Sequence, residues 1–392
     1  METMISKAIH EIVLADLEAL KGVARETKTL EFKRELPAGR PGALKVLAGV
    51  TALANTSGGD FVIGVAAKAG VADDVIGIQI PDADQYKLTL EQVLASNVEP
   101  RLPRIDIQEV DCGNGRWAFV VRVPQSWIGP HRVTSDNNFY VRSSGATVPL
   151  GVDELRTAFG LRESGIERIE AFRRERLIKI TAGETPVRIQ EGPAVVLHMA
   201  PLPSFANRDL IDIVRLVANG THMPLPLRGP GISGYPSANL LGFINFPGDD
   251  GKGAAGYGQL FRTGAFEGVS CSSVDMAVPY LGSLDFGNMI VGAVRRHLSL
   301  QASYDIAFPT FAMLSFCNAS DLRFRRPTEF GGGYYDSNPL GETIVSFPEV
   351  LIERPDVDVP TIVRPLLNVV WNAFGFPESE MYTPQGAWKG TA

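Results

Sequence analysis

Leu30 and Phe32 alternate with Thr29, Glu31 and Lys33, and a period of two marks a strand with one face on a core. The run predicts a strand with Leu30 and Phe32 inward and Glu31 and Lys33 together on the opposite, solvent-facing side. Glu26 lies five residues before Glu31, a spacing that a continuous helix would turn well apart. The two acids converge only if a helix ends near Glu26 and the strand starts near Thr29. Over 41–54, Leu44, Leu47, Val50 and Leu53 recur at helical spacing. That helix should end at Asn55-Thr56-Ser57-Gly58-Gly59, where paired glycines allow a sharp turn into the apolar strand Phe61-Val62-Ile63-Gly64-Val65. Ile105 to Val110 and Trp117 to Val123 read as a hairpin about Asp111-Cys112-Gly113-Asn114-Gly115.

Farther along, Ser164 to Ile180 reads as a charged helix between two halves. Ile166, Ile169, Phe172 and Leu177 lie near one side, and Arg168, Arg173, Arg174 and Arg176 elsewhere. These arginines are expected to solvate an interdomain helix rather than to bind nucleic acid. Val195 to Met199 predicts a buried strand, Asp285 to Leu300 an amphipathic helix, and Leu366 to Trp371 part of a C-terminal helix. Residues 224–258, rich in Gly and Pro, predict a long loop. The fold class is α+β, with an N-terminal domain over 1–160, a charged linker helix over 161–183 and a second α+β domain over 184–392.

A chain of 392 residues suffices for two domains, and its net charge of −7 is not that of an obligate nucleic-acid binder. Any phosphate-binding face must be a local patch. Lys28, Lys33, Arg34, Arg40 and Lys45 are candidates beside the acids, with His131, Arg132 and Arg142 later in the chain. Cys112, Cys271 and Cys317 are odd in number and widely spaced, which fits a reduced cytoplasmic interior. No signal-peptide layout and no membrane-spanning apolar run is present. His198 lies in an apolar run and reads as a core residue, while His10, His222 and His297 lack metal-ligand spacing. Gly251-Lys252 is followed by Gly253, with Phe246 where a phosphate-binding loop needs its first Gly, so that motif fails.

The order of elements resembles the Schlafen AlbA-like domain of bacterial type. The matching residues are Glu26, Leu30-Glu31-Phe32-Lys33, Ala54 to Gly59, Ile63-Gly64-Val65, Ile76-Gly77-Ile78, Val123-Pro124, Ser126, Pro130-His131, Phe139-Tyr140-Val141-Arg142, Gly145 and Thr147. They cover roughly residues 10 to 158. Gly183 to Val187, Leu197 to Leu202 and Gly256 to Gly264 resemble the C-terminal domain that accompanies it. The resemblance implies a nucleic-acid-binding domain that in some members is a metal-dependent RNase cutting structured RNA such as tRNA.

On that resemblance Glu26 and Glu31 would hold Mg²⁺ or Mn²⁺, with Lys33 stabilising phosphoryl charge. The family's third acid, an aspartate after the Ile-Gly-Val strand, is Ala66-Ala67 here. Asp73, Asp74 or Asp60 is the candidate replacement, with Asp73 taken as the third metal ligand. Two acids hold a hard divalent ion weakly, and phosphodiester cleavage needs that ion well placed. Two functions therefore stand open. One is a metal-dependent endoribonuclease; the other is a non-catalytic DNA- or RNA-binding sensor with an incomplete acidic triad. RNA is the expected partner ahead of DNA, and a homodimer would supply the second lobe that eukaryotic Schlafens carry in one chain. The resemblance also suggests a part in phage defence.

Overall fold

In the computed structural model the chain divides into two units, Met1–Arg162 and Glu163–Ala392. The structure describes residue 5 and residues 7–37, 39–103, 105–207, 210–214, 223–227, 234–249, 251–271, 279–328 and 333–390. His222 lies outside them.

The first unit opens with α1 (Leu14–Glu18), β1 (Leu30–Lys33), α2 (Arg40–Ala54) and β2 (Gly59–Ile63). A hairpin of β3 (Val65–Lys68) and β4 (Val71–Val75) and the short β5 (Ile78–Gln79) lead to α3 (Ala83–Ser96). β6 (Val98–Glu99), β7 (Asp106–Gly113), β8 (Arg116–Val123), β9 (Arg132–Val133), β10 (Asn138–Ser143) and β11 (Ala146–Pro149) follow. One sheet has the order β1-β2-β8-β5, with β7 also on β8, and a second runs β11-β10-β9-β6. β1 and β2 are parallel, and β2 and β8 antiparallel.

Both faces of the first sheet are covered, which explains why β2 and β8 are apolar runs rather than alternations. Phe61, Ile63, Phe119 and Val121 pack with Val46, Leu47, Val50 and Leu53 of α2 and Leu90 and Leu94 of α3. Leu30, Phe32, Val62, Ala118 and Val120 pack on the other face with Ile12, Leu17 and Ala72. The expected glycine turn between α2 and β2 is present. Gly58 and Gly59 have φ of 70° and 139°, and a Cβ on Gly59 would sit 2.1 Å from the Thr29 carbonyl oxygen.

The charged helix predicted over 164–180 is longer, α4 (Val152–Thr181), and from Glu163 it belongs to the second unit. Next come β12 (Ala194–Pro201), α5 (Leu202–Asn207), β13 (Ser237–Asn239), β14 (Gly242–Asn245), β15 (Gly256–Phe261), β16 (Phe266–Ser270) and β17 (Tyr280–Gly282). The chain continues through α6 (Ser283–Ser303), β18 (Thr310–Cys317), β19 (Arg323–Pro327), β20 (Tyr334–Asp336), β21 (Ile344–Ser346), β22 (Val350–Ile352) and α7 (Val359–Ala373). A large sheet has the order β13-β14-β15-β16-β12-β18-β21, with β22 also on β18, and a small one has β17-β19-β20. β13 and β14 form a hairpin inside the stretch expected to be a long loop.

β12, the strand expected around Val195 to Met199, is buried at every residue. Leu197, Met199, Phe266, Leu314 and Phe316 join one core with Ile290 and Val294 of α6 and Leu367 and Trp371 of α7. Val196, Tyr257, Val269 and Cys317 pack with Leu177 and Ile180 of α4. Arg173 and Arg176 correct the expectation of a solvated arginine face, because both turn inward, while Arg174 stays exposed. Arg173 donates to the carbonyls of Leu314 at 2.6 Å and Phe347 at 2.8 Å. Arg176 donates to both Glu267 oxygens at 2.8 and 2.9 Å, where His198 Nε2 (2.9 Å) and the Tyr257 hydroxyl (2.7 Å) also meet. Burial opposes the Glu267 charge, yet the hydrogen bonds from His198 and Arg176 overcome it and hold its pKa near about 2.

His297 on α6 is wholly buried against Phe266, ring centroids 4.8 Å apart, and neither ring nitrogen has a hydrogen-bond partner among the described residues. Burial drives its pKa down to about 3. Unfolded, it titrates near about 6.5, so below that value the unfolded chain binds the extra proton and stability falls with pH. The slope approaches about 1.4 kcal/mol per pH unit between the two pKa values. Urea unfolding at pH about 7, 6 and 5 should show this loss, and His297→Leu should flatten the part above pH about 5. An unchanged slope in His297→Leu would count against the burial argument.

Candidate functional site

β1 brings the candidate residues together, though not on a solvent-facing edge. Glu31 does point away from Leu30 and Phe32, but it is 3% exposed. The reason is α2. A Cβ on Gly49 of that helix would lie 2.3 Å from the Phe61 ring and 3.1 Å from Glu31 Oε2, so the helix passes directly over the carboxylate. Alternation fixed the face correctly but could not show that a helix covers it.

Arg142 of β10 answers the buried charge. Its Nη1 donates to Glu31 Oε2 at 2.7 Å and to Thr147 Oγ1 at 3.0 Å, and Thr147 itself donates to Oε2 at 3.1 Å. Nε and Nη2 donate to the Thr27 carbonyl, and Nη2 also to the carbonyls of Leu30 and Gly145. Lys33 Nζ lies 2.5 Å from Glu31 Oε1, with 28% of its side chain exposed. Glu26 is half-buried, and its Oε1 accepts the Phe32 amide at 3.2 Å. Leu30 O and Phe32 N belong to the free edge of β1, so Arg142 and Glu26 satisfy backbone groups that an edge strand leaves open.

The remaining acids are elsewhere. Parallel pairing sets Asp60 opposite Leu30, which puts its side chain on the face away from Glu31. There it is fully buried, pairing with Arg122 Nε at 2.7 Å and Nη2 at 2.9 Å and accepting the Ile5 amide at 3.0 Å. Asp74 pairs across the hairpin with Ala66 and forms an ion pair with Lys21 at 2.8 Å. That hydrogen bond lowers its pKa. Asp73 is the extra residue of a β-bulge and is exposed.

A Mg²⁺ or Mn²⁺ site needs carboxylate oxygens free to coordinate, together with waters or phosphate oxygens. This set does not fit. Glu31 spends both oxygens on Arg142, Thr147 and Lys33, and Glu26 spends one on the backbone. Among the described residues no group of three or more His, Cys, Asp or Glu side chains is placed to hold a metal.

The candidate phosphate-binding residues separate into two kinds. Arg142 and His131 are buried, and for them the expectation of a nucleic-acid contact is corrected. Arg142 is committed as above. His131 has its ring nitrogens at 2.6 Å from the Pro100 carbonyl and from Ser126 Oγ, and burial lowers its pKa. Arg132 pairs with Glu99 at 2.5 Å, and Arg40 donates to the Ser135 carbonyl at 3.1 Å while staying exposed. Lys28, Arg34 and Lys45 are exposed, at the two ends of β1 and on the first half of α2.

Sequence spacing missed the residues that aim Arg142. Thr56 Oγ1 accepts the Arg142 amide at 2.9 Å and donates to the Ala52 carbonyl at 2.7 Å. Asn55 donates to the carbonyls of His131 and Tyr140, both at 2.9 Å, and accepts the His131 amide at 2.7 Å. The signals for these were their place in the turn after α2 and within the stretch Ala54 to Gly59 that carries the family resemblance.

Comparison with known proteins gives one family match, to the model described as Schlafen, AlbA_2, over residues 26–151. No curated protein matches the chain. Among solved structures, the DIP2311 protein from Corynebacterium diphtheriae is 22% identical, with 35% of this chain and 25% of that one covered and a TM-score of 0.25. The N-terminal domain of a putative ATP-dependent DNA helicase RecG-related protein from Nitrosomonas europaea is also 22% identical. There 35% of this chain and 82% of that one are covered, at a TM-score of 0.23. The chain thus spans about a quarter of the first of these proteins. The family match encloses Glu26, Glu31, Arg142 and the elements that join them: residues 26–151 of this chain are a Schlafen AlbA_2 domain.

Proposed function

We propose that the first unit binds nucleic acid, RNA ahead of DNA, and does so without cutting it. The observation that carries this reading is the saturation of Glu31 by Arg142, Lys33 and Thr147. A carboxylate so held is a structural anion rather than an open ligand. Glu31 and Glu26 stand against Arg142 and Lys33, so the cluster itself is balanced and the positive character comes from the exposed cations around it. Lys28, Arg34, Arg40 and Lys45 carry that character over the exposed surface, with Lys33 as the partly exposed link to the buried pair. The Schlafen AlbA_2 match over residues 26–151 supports nucleic acid as the ligand class. A homodimer would let two such surfaces face one strand, and light scattering at micromolar protein reads that directly.

The triple variant Lys28→Ala/Arg34→Ala/Lys45→Ala should weaken tRNA binding and lower the log-log salt slope by about 2 to 3, at about 0.7 to 0.9 per lost phosphate contact. An unchanged slope would remove these residues from the interface. With Mn²⁺ and total tRNA, wild-type protein should shift the RNA on a native gel and leave it intact on a denaturing one. Cleavage that disappears in Glu31→Gln would instead establish the metal-dependent RNase with Glu26, Glu31 and Lys33.

The structural role of the pair has its own signature. Arg142→Met strands a buried carboxylate and should cost about 3 to 5 kcal/mol in urea unfolding. Glu31→Gln/Arg142→Met should cost clearly less than the two single changes added together. Strict additivity would mean that the pair is not coupled.

A further inference from the structure

The small sheet of the second unit carries an aromatic and guanidinium stack that the reading above does not use. Parallel register sets Tyr280 beside Arg323, and antiparallel register sets Arg325 beside Asp336 and Pro327 beside Tyr334. These residues share one face. The opposite face carries Leu281 and Phe324, both fully buried, with Phe324 stacked on Phe374 at 4.9 Å. The Arg325 guanidinium lies 3.6 Å from the Tyr280 ring centroid and 5.7 Å from that of Tyr334. Asp336 holds it in a two-point pair at 2.6 and 2.7 Å, which fixes the plane of the fork. Tyr334 is nevertheless 68% exposed.

We infer that this face binds an unpaired stretch of nucleic acid, with a base stacked on Tyr334 and the Tyr280–Arg325 pair as its rigid floor. An exposed tyrosine beside an oriented guanidinium offers what sequence-tolerant single-strand binding uses, a π surface plus a cation. Arg323 and Arg325 are matched here by Asp336 and by Asp285, whose Oδ2 would lie 3.5 Å from a Cβ on Gly282, so it is the stacked ring and guanidinium planes, and not net charge, that argue the occupant. The occupant's identity as nucleic acid rests on the reading given for the first unit, whereas its single-stranded character comes from this sheet.

The test uses the full chain with fluorescein-labelled oligouridylate and a duplex of equal length, followed by anisotropy. Tyr334→Ala should weaken oligouridylate binding by about fivefold or more, the lower end of what one stacked base contributes. Duplex binding should stay unchanged. Tyr334→Phe, which keeps the ring, should bind oligouridylate as wild type does. Equal oligouridylate affinity in wild type and Tyr334→Ala would overturn the inference while leaving the first-unit reading intact. Failure of the first-unit reading shows separately, as unchanged affinity for both ligands in the Lys28→Ala/Arg34→Ala/Lys45→Ala variant.

Discussion

A carboxylate under a helix cannot leave its charge to water, and the architecture of the first unit is organised around Glu31. Desolvating an ion costs several kcal/mol, so the fold has to deliver a cation at hydrogen-bond distance. Arg142 does this from β10 of the other sheet. To reach Glu31 it depends on Asn55 and Thr56, which tie the end of α2 to the chain at 131 and 140–142. Gly49 lets the helix pass close enough to seal the pair. One ion pair therefore links β1, α2 and both sheets, and the donors of Arg142 left over from Glu31 close the free edge of β1.

That economy has a chemical consequence. Metal-assisted phosphoryl chemistry wants carboxylates held in place but open toward the substrate. Here Arg142 Nη1 stands 2.7 Å from Glu31 Oε2, and Asp60 is turned to the other face by the register of a parallel pair. The same pairing that occupies both Glu31 oxygens leaves Lys33 partly exposed beside it. Ala66-Ala67, where the resemblance expects a third acid, and the pairing of Glu31 from within both support the proposed reading of a domain that holds phosphate without cleaving it.

Local pattern made much of the fold legible. Alternation in Leu30 to Lys33, the apolar stripe of α2, the paired glycines after it and the turn between β7 and β8 all act within a few residues. What alternation does not report is the layer that covers a face. Glu31 and Arg142 are 111 residues apart in sequence, and no spacing rule joins them. The arginines of α4 failed for the same reason: a helix with mixed faces reads as solvated until a sheet is known to present Glu267 and the carbonyls of Leu314 and Phe347 to it. Asp60 looked available because a strand end in sequence is often a surface in space, which a buried parallel pair contradicts.

The second unit repeats the device. Glu267 projects from a central strand beneath a helix and is answered by Arg176, with His198 and Tyr257 filling the remaining acceptor capacity. Such a cluster of acid, base, hydroxyl and cation has the composition of a catalytic site, yet every member is buried and Glu267 is fully paired, with His198 Nδ1 the one ring nitrogen of the cluster left without a partner among the described residues. Burial together with complete pairing distinguishes a charge that holds the fold from one that works on a ligand. By that criterion the contacts proposed above fall among groups that the packing left at the surface: Lys28, Arg34, Arg40 and Lys45 in the first unit, and in the second a tyrosine beside a guanidinium whose orientation an aspartate has already fixed.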